Sequence, residues 1–328
     1  MSLRPGPPDH PHLSTFTRRA FIAGATSAGL GMAAYGGMFA RHDLQVVPRT
    51  FSIKNLPDAF DGFRIAQLSD IHLEEYTEPY FLQEAVERIN ALQPDLVVLT
   101  GDFISRGPRP TAFAIKTAGL CAEILSTLTA PQRYAILGNH DVAVGSQPII
   151  SVLEAHGTPV LVDSYTPIER GDSHIWLSGA CDPGTSTCYL DLAIPPYPKA
   201  PVIFLCHEPD FVDTVVQHPR FPLIDLMLSG HTHGGQVRLP FVGPLLLPPM
   251  GQKYVTGLFH FGHLQLYVNR GLGTVGLPVR LNCPPEITDI TLVRTPEPPH
   301  IPVAPPENEL RHHKKHHAER PKPPASDQ

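Results

Sequence analysis

Aspartate, histidine and asparagine side chains recur at five places in the chain, each directly after a short apolar run and usually beside a glycine. The residues concerned are Asp70, His72, Asp102, Asn139, His140, Asp141, His207, His231 and His233. Carboxylate oxygen and imidazole nitrogen are ligands that suit divalent Mn, Fe, Zn and Co. Histidines in a glycine-rich turn have little use in packing. These residue types therefore predict a metal centre.

The spacing within two of the clusters favours shared ions. Asp70 and His72 are two residues apart, and so are His231 and His233. Side chains two apart on a strand point the same way, so Asp70 and His72 could both reach one ion. A carboxylate such as Asp102 can bridge two cations, and cations about 3.5–4 Å apart form a clamp for in-line attack on phosphorus. This chemistry predicts phosphoester hydrolysis.

Alternating strands and helices must position these groups. The apolar periodicity predicts helices at 80–92, 112–128 and 149–156, and strands at 63–68, 96–100, 134–137, 202–206, 223–228, 264–268 and 287–293. The carboxyl ends of strands in α/β sheets share one edge, where ligands bind. The polar groups should therefore converge there. The alternation predicts stacked α/β layers, and the strand-rich end suggests two packed sheets with helices outside.

The order Asp-x-His, Gly-Asp, Gly-Asn-His-Asp, His and Gly-His-x-His resembles the calcineurin-like metallophosphoesterase superfamily over about residues 44–295. Segments 226–237, 269–273, 278–280 and 285–287 are similar to its exported bacterial branch, the YkuE- and YaeI-type phosphodiesterases. The resemblance implies an α/β fold, a four-layer α/β/β/α sandwich with two packed mixed sheets. It also implies two divalent metal ions, chosen from Mn, Fe, Zn and Co, with Mn favoured.

The same resemblance implies a role for each motif residue. The implied metal ligands are Asp70, His72 and His233 for the first ion, Asp102 as the bridge, and Asn139, His207 and His231 for the second. His140 would lie over the phosphate as general acid or charge stabiliser. A hydroxide bridging the two metals would attack phosphorus in line.

Each of three features near the motifs has two interpretations. Asp141 either orients His140 as its catalytic partner or caps a turn. Arg270 either binds a phosphate or glycan oxygen or ties the closing strands together. Cys181 and Cys188 flank a turn-rich loop and could pair in an oxidising compartment.

Residues 1–43 carry a targeting pattern. Arg18 and Arg19 precede a stretch from Ala20 to Ala40 that contains no charged residue. A paired arginine ahead of a mildly hydrophobic run resembles a twin-arginine (Tat) export signal, so we expect export by that machinery to the periplasm or the outer face of the cytoplasmic membrane. The run is also long enough to span a bilayer, so cleaved signal and uncleaved membrane anchor both stay open.

Outside the predicted catalytic domain at 44–295, the composition shifts again at Pro296. The Pro/His-rich segment 296–328 has too little apolar surface to offset the entropy of ordering, which predicts a disordered tail. Its histidines could bind metals or contact an anionic cell wall, or be merely solvated. The net charge of −6 gives no general attraction for nucleic acid, which is not expected as a partner.

Three functions fit this pattern. The first is a dinuclear-metal phosphodiesterase or phosphatase at the cell envelope, acting on a phosphoester small molecule. The second is a pyrophosphohydrolase of a nucleotide-linked lipid precursor of the UDP-diacylglucosamine type. For that substrate the apolar segment 241–250 is a candidate platform, unless it is an ordinary packed loop. The third is a non-catalytic metal-binding envelope protein, against which the complete ligand set and His140 argue.

Overall fold

Two mixed β-sheets lie at the centre of the computed structural model, which describes residues 18–295. The strands are β1 (Gln45–Ile53), β2 (Arg64–Leu68), β3 (Leu96–Leu99), β4 (Gln132–Ala135), β5 (Ser164–Arg170), β6 (Ser173–Gly179), β7 (Val202–Leu205), β8 (Leu226–Ser229), β9 (Arg238–Leu239), β10 (Gly243–Pro244), β11 (Gly257–Phe261), β12 (Leu264–Val268) and β13 (Glu286–Arg294). The α-helices are α1 (Arg18–Met38), α2 (Pro79–Leu92), α3 (Thr111–Leu125), α4 (Asn139–Ala155), α5 (Leu190–Ala193) and α6 (Val212–Val215).

The strand order brings distant parts of the chain together. The first sheet has the order β1-β13-β2-β3-β4, and the second has the order β11-β12-β8-β7-β6-β5. In the first sheet β2, β3 and β4 are parallel, while β13 is antiparallel to β2 and parallel to β1. In the second sheet β6, β7, β8 and β12 are parallel, with antiparallel strands at both edges. Both sheets are therefore mixed, as predicted.

Alternating side chains divide the interior into three apolar layers. In β3, Val98 packs between the two sheets, whereas Val97 packs under α2, α3 and α4. In β8, Leu228 packs between the sheets, whereas Met227 packs under α5 and α6. Successive residues of a strand point to opposite faces, so each sheet buries both of its faces. The predicted four-layer α/β/β/α sandwich is confirmed.

Some predicted element boundaries need correction. The strand predicted at 134–137 is β4 at Gln132–Ala135, and the helix predicted at 149–156 begins at Asn139. That helix has a break at Gly145 (φ 139°) and contains Pro148, which hides its first turns from a helical periodicity search. The predicted strands do not include β1, β5, β6, β9, β10 or β11. The edge strands β1 and β5 have largely exposed side chains, so neither forms the continuous apolar run that marks a buried strand.

The N-terminal targeting pattern falls partly within the described residues. The uncharged stretch that follows the arginine pair lies in α1 as far as Met38, and a short 3-10 helix begins at Ala40. Within residues 18–295, no helix is both long enough and apolar enough to cross a membrane. The predicted tail at 296–328 and the first 17 residues lie outside the described part of the chain.

Candidate metal centre

Five loops at one edge of the two sheets carry the predicted ligands. Residues 69–73 follow β2, 100–104 follow β3, 136–141 lead from β4 into α4, 206–208 follow β7, and 230–236 follow β8. Because the strands that precede these loops run parallel within each sheet, their carboxyl ends meet at a shared edge. The convergence predicted from the sequence is present in the structure.

Left-handed backbone, rather than strand alternation, aims most of these side chains. Asp70 and His72 lie beyond the end of β2 with φ of 52° and 48°, and His231 and His233 have φ of 72° and 50°. Asp102 has φ of 56°. Such a conformation costs a non-glycine residue about 1–2 kcal/mol and persists only where the surroundings enforce it. The expectation that Asp70 and His72 point the same way because they lie on a strand is wrong.

The first cluster consists of Asp70, His72 and His233, whose ligand atoms lie within 4.8 Å of one another. The two Nε2 atoms of His72 and His233 are 3.1 Å apart. His233 Nε2 lies 3.5 Å from Asp70 Oδ1. All three side chains are buried. These are the residues predicted to share the first metal ion.

The second cluster consists of Asp102, His207 and His231, again with ligand atoms within 4.8 Å of one another. Asn139 joins it, because its Oδ1 lies 3.0 Å from His231 Nδ1. Asp102 Oδ2 is 3.2 Å from His207 Nε2 and 3.4 Å from His72 Nε2 of the first cluster. Asp102 therefore lies between the two clusters, the position that a bridging carboxylate requires.

Backbone carbonyls select the tautomers of two histidines. His207 Nδ1 lies 2.6 Å from the carbonyl oxygen of Thr100, and His233 Nδ1 lies 3.2 Å from that of Gly273. A carbonyl only accepts hydrogen bonds, so each Nδ1 carries the proton and donates it; for His233 this contact is shorter than the 3.4 Å from Nδ1 to Arg280 Nη2. In the neutral form of each ring the lone pair is then on Nε2, the atom that faces Asp102 or His72. Such outer contacts hold metal-binding histidines in orientation.

His231 has the opposite tautomer. Its Nε2 lies 2.7 Å from the carbonyl oxygen of Pro249, so Nε2 donates and Nδ1 keeps the lone pair. Nδ1 is the atom beside Asn139 Oδ1. The Pro249 carbonyl comes from the segment 241–250, for which the sequence predicts an apolar platform or a packed loop but no contact with a ligand. The histidine motif alone carries no signal for this choice of ring nitrogen.

Charge and burial oppose each other within the clusters. Burial holds the pKa values of His72 and His233 well below the usual range of histidine, despite the charge of Asp102. Both rings are therefore neutral near pH 7, the form that binds metals. Burial would also lower the pKa of His207, but the carboxylate of Asp102 outweighs burial and raises it well above its usual value. Burial raises the pKa of Asp102, and the nearby histidines, His207 foremost, outweigh it and lower that pKa.

The environment of one buried nitrogen atom, His207 Nε2, indicates whether the site residues fit a cation. His207 Nε2 is buried and has no hydrogen-bond partner among the described residues. It lies 4.0 Å from Asp70 Oδ1, besides its approach to Asp102. Asp102 favours a proton on this atom, and a metal bound there would displace that proton and give the buried nitrogen a partner. Together with the carboxylates and neutral imidazoles, this atom fits a borderline divalent ion.

Glycines next to the ligands permit the close approach of the loops. A Cβ at Gly138 would lie 2.6 Å from the backbone nitrogen of Asp102. A Cβ at Gly230 would lie 3.0 Å from Ser69 Cβ and would overlap the carboxylate of Asp70. The glycines beside the motif residues are therefore required by packing at the site.

The profile described as calcineurin-like phosphoesterase matches residues 63–235, more than half of the 328-residue chain. The chain belongs to the calcineurin-like phosphoesterase family. The matched range includes every predicted metal ligand from Asp70 to His233. The family predicted from the order of the motifs is confirmed.

Three relatives of this calcineurin-like phosphoesterase place it within the family. It is 36% identical to the uncharacterized metallophosphoesterase YkuE of Bacillus subtilis, over 84% of this chain and 94% of that protein. It is 32% identical to the phosphodiesterase YaeI of Escherichia coli, over 84% and 99%. It is 29% identical to the UDP-2,3-diacylglucosamine pyrophosphatase LpxG of Chlamydia trachomatis, over 71% and 85%. The protein is thus a metal-dependent phosphoester hydrolase of the YkuE and YaeI type.

His140 lies beside the predicted metal ligands of this phosphoesterase and has a defined tautomer. Its ring lies edge-on to His72, with 4.8 Å between the centroids. Its Nδ1 accepts a hydrogen bond of 2.9 Å from the backbone N–H of Arg106. The proton of the neutral ring is therefore on Nε2. A donor at Nε2 is what a general acid or a stabiliser of phosphoryl oxygens needs.

Asp141 does not pair with the ring of His140 in the described structure. Its carboxylate accepts hydrogen bonds from four backbone N–H groups, those of Gly138, Asp102, Phe103 and Ile104. Burial, together with the charge of Asp102, raises the pKa of Asp141 to about 8, whereas the amides lower it. These contacts favour the capping interpretation of Asp141 over the one in which it orients His140, because the turn folds its carboxylate back onto the main chain.

We expect Asp141→Ala to lower the stability of the protein. It should affect catalysis only indirectly, by loosening the turn that its carboxylate caps. Four buried amides would lose their acceptor, which should lower the free energy of unfolding by about 2–3 kcal/mol. Urea unfolding followed by circular dichroism measures the change. Asp141→Asn, which keeps one acceptor oxygen, should lose less. Unchanged stability in Asp141→Ala would contradict the capping role.

The two other open features are also resolved by contacts. Arg270 Nε lies 2.5 Å from Glu286 Oε2, so this arginine ties the closing strand β13 to the preceding loop. The contact with Glu286 gives no support to the other interpretation of Arg270, in which it binds a phosphate or glycan oxygen. Cys181 and Cys188 form a disulfide in the loop after β6. The pairing considered from the sequence is therefore present.

Arg280 is a site residue that sequence reasoning missed. Its guanidinium is fully buried and donates to the carbonyl oxygens of Gly273, Gly271 and Cys283. Gly273 is also the residue whose carbonyl selects the tautomer of His233. Arg280 therefore braces the turn that orients a predicted ligand. A lone arginine in a proline-rich turn carries no signal of such a role.

An apolar cavity of about 740 Å³ opens beside the clusters. One wall contains site residues, namely Asp102, Asn139, His140, His231 and His233. The remaining lining is mostly aliphatic and includes Leu245–Pro248, part of the segment predicted as an apolar platform, and Val275–Leu277. The predicted platform is therefore not an ordinary packed loop at these positions, because its side chains face a cavity rather than the core.

Proposed function

We propose that this phosphoester hydrolase cleaves phosphodiesters at the cell envelope with two divalent metal ions, Mn²⁺ being favoured. The observation that carries the proposal is the position of Asp102 between two ligand clusters, with His140 beside them. Asp70, His72 and His233 would hold one ion, and Asn139, His207 and His231 the other. The relationship to the phosphodiesterase YaeI supports the same reaction class.

Side-chain and backbone groups of this chain have separate roles around the phosphate. When bound, the metals would supply positive charge and lower the pKa of water. His140 is positioned to donate its Nε2 proton to the leaving oxygen, because the Arg106 amide holds the other ring nitrogen. The same N–H can stabilise charge that develops on the phosphoryl oxygens. The backbone N–H of His140 donates to Asp102 Oδ1 at 2.9 Å, which links the acid to the bridging carboxylate.

Purified protein stripped of metal and reloaded with Mn²⁺ tests this proposal on two model substrates. We expect hydrolysis of bis(p-nitrophenyl) phosphate, and lower activity on the monoester p-nitrophenyl phosphate. A chelator should abolish the activity and Mn²⁺ should restore it. Two bound metal ions per chain without turnover on either ester would instead favour a non-catalytic metal-binding protein.

A second candidate is pyrophosphohydrolysis of a nucleotide-linked lipid precursor. The apolar cavity beside the ligand clusters favours it, because a hydrocarbon chain could lie there while the diphosphate reaches the metals. The relative LpxG is named for such an activity on UDP-2,3-diacylglucosamine. Release of UMP from UDP-2,3-diacylglucosamine at a rate above that of the model diester would favour this candidate. No release would remove it.

We also propose that the twin-arginine export machinery carries the protein to the periplasm or the outer face of the cytoplasmic membrane, with its signal either cleaved or retained as an anchor. The arginine pair ahead of an uncharged stretch supports the proposal. Replacing both Arg18 and Arg19 by lysine should abolish export of the full chain, measured by cell fractionation. Export that persists unchanged in this variant would contradict the route.

A further inference from the structure

The hairpin of β9 and β10 ends in an apolar tip. The tip residues Phe241 and Val242 lie between the two short strands, and Phe241 is fully exposed while Val242 is 69% exposed. Phe241 also has a left-handed backbone, with φ of 65°. Glycine or asparagine is favoured at such a position, and an exposed phenylalanine there adds nothing to folding. The exposed apolar tip therefore indicates a role other than stabilising the fold.

The apolar surface continues from the hairpin tip into the cavity. Leu246 is 82% exposed and Leu277 is 62% exposed, yet both also line the cavity. We call Phe241, Val242, Leu245, Leu246 and Leu277 the apolar rim. An exposed apolar patch of this kind marks an interaction surface, since leaving it in water is unfavourable.

Helix α1 forms a further part of the same cavity wall. Met32 and Ala33 line the cavity, and Met32 is half exposed. The helix is attached near its end, where the carbonyl of Gly36 accepts a hydrogen bond of 3.2 Å from the Arg280 amide. Two elements distant in sequence thus present uncharged, apolar side chains around one opening.

We propose that the apolar rim inserts into the surface of a lipid bilayer. Residues 239–250 contain no charged side chain, and neither does the stretch from Ala20 to Ala40, so these segments offer apolar rather than ionic contacts at this face. The net charge of −6 gives no attraction to anionic lipid, so the binding is driven by apolar insertion.

The cavity gives a second reason to choose a bilayer as the occupant. It runs from the rim to the metal ligands, so a lipid inside it would continue directly into the hydrocarbon outside. In this respect the inference rests on the proposed function, because the bilayer would deliver a hydrocarbon-bearing phosphoester to the ligand clusters. Binding to vesicles itself does not depend on any turnover.

Flotation of the full chain with phosphatidylcholine vesicles tests the proposal. We expect the protein to bind, and to stay bound at high salt, because the contact is apolar. The double variant Phe241→Ser with Val242→Ser should bind about tenfold more weakly or worse. Tyr197→Ser, which removes another exposed aromatic side chain outside the rim, should bind like the unmodified protein.

Activity on bis(p-nitrophenyl) phosphate separates this inference from the proposed function. The rim double variant should hydrolyse the soluble ester at the unmodified rate, since Phe241 and Val242 do not line the cavity. If neither protein hydrolyses the ester but the double variant still loses vesicle binding, the proposed function fails and the inference stands. Equal vesicle binding by both proteins, or none by either, would overturn the inference. So would dimerisation through the rim without vesicle binding.

A second variant reports insertion directly and does not depend on a loss of binding. The chain has one tryptophan, Trp176, which lies in β6. Phe241→Trp adds a fluorophore at the hairpin tip while keeping the tip aromatic. Vesicles of brominated phosphatidylcholine should quench the variant more strongly than the unmodified protein. Equal quenching of the two proteins would place the tip in water and overturn the proposal.

Discussion

Asp102→Ala is expected to lose both bound metal and activity. The carboxylate lies 3.4 Å from His72 Nε2 and 3.2 Å from His207 Nε2, and so it joins the two clusters more closely than Asp70, whose Oδ1 lies 4.0 Å from His207 Nε2. Without it, the charge that attracts two cations to neighbouring positions is gone. Losing several kcal/mol of charge stabilisation should reduce kcat/KM by about a thousandfold or more.

Metal content measured by plasma mass spectrometry, together with diester hydrolysis, checks this result. Asp95→Ala is the matched control, because Asp95 precedes the same strand β3 that Asp102 follows, at the end away from the site. The control should keep its metals and its activity. A variant Asp102→Ala with two metal ions per chain would rule out the bridging role, whatever its activity.

His140→Ala is expected to keep both metals and lose most of the turnover. The ring belongs to neither of the two clusters that the predicted ions require, although its ligand atom lies within 4.8 Å of those of His72 and Asp102, and it contributes a donor at Nε2. Removal of a general acid costs about a hundredfold to ten-thousandfold in rate. The loss should appear in kcat rather than KM, because the donor acts on charge that develops as the ester breaks.

The control for this variant lies on the same helix. His156 is at the other end of α4, where its Nδ1 contacts the carbonyl of Val152 at 2.8 Å. His156→Ala should leave kcat unchanged. Substrates with a better leaving group should lose less rate in His140→Ala if the ring protonates the leaving oxygen, whereas a pure charge stabiliser would lose rate equally. Near-normal turnover in His140→Ala would remove the residue from the mechanism.

Turn geometry limited what the sequence could predict about individual residues. The Gly-Asn-His-Asp motif identifies Asp141 as a candidate, yet the structure folds its carboxylate onto the amides of Gly138 and Asp102. A motif names neighbours along the chain, and the direction of a side chain depends on backbone angles that residue types do not specify. For the same reason the sequence predicted that Asp70 and His72 lie together, which they do, but it did so on the wrong assumption that both lie on a strand.

The sequence by itself determined the family, the layered architecture and the ligands that converge. It could do so because buried parallel strands appear as continuous apolar runs, and because the residues that follow them must meet at one edge of the sheets. The order of the motifs then predicted that Asp70, Asp102 and His233 are metal ligands rather than residues that pack in the core.

Only the tertiary structure decided how those groups are held and what surrounds them. The tautomer of His231 depends on a carbonyl at Pro249, and that of His233 on a turn braced by Arg280. The apolar cavity exists because α1, the hairpin loop and residues 275–281 come together in space. Such features arise from contacts between segments far apart in the chain, and no local pattern of residues specifies those contacts.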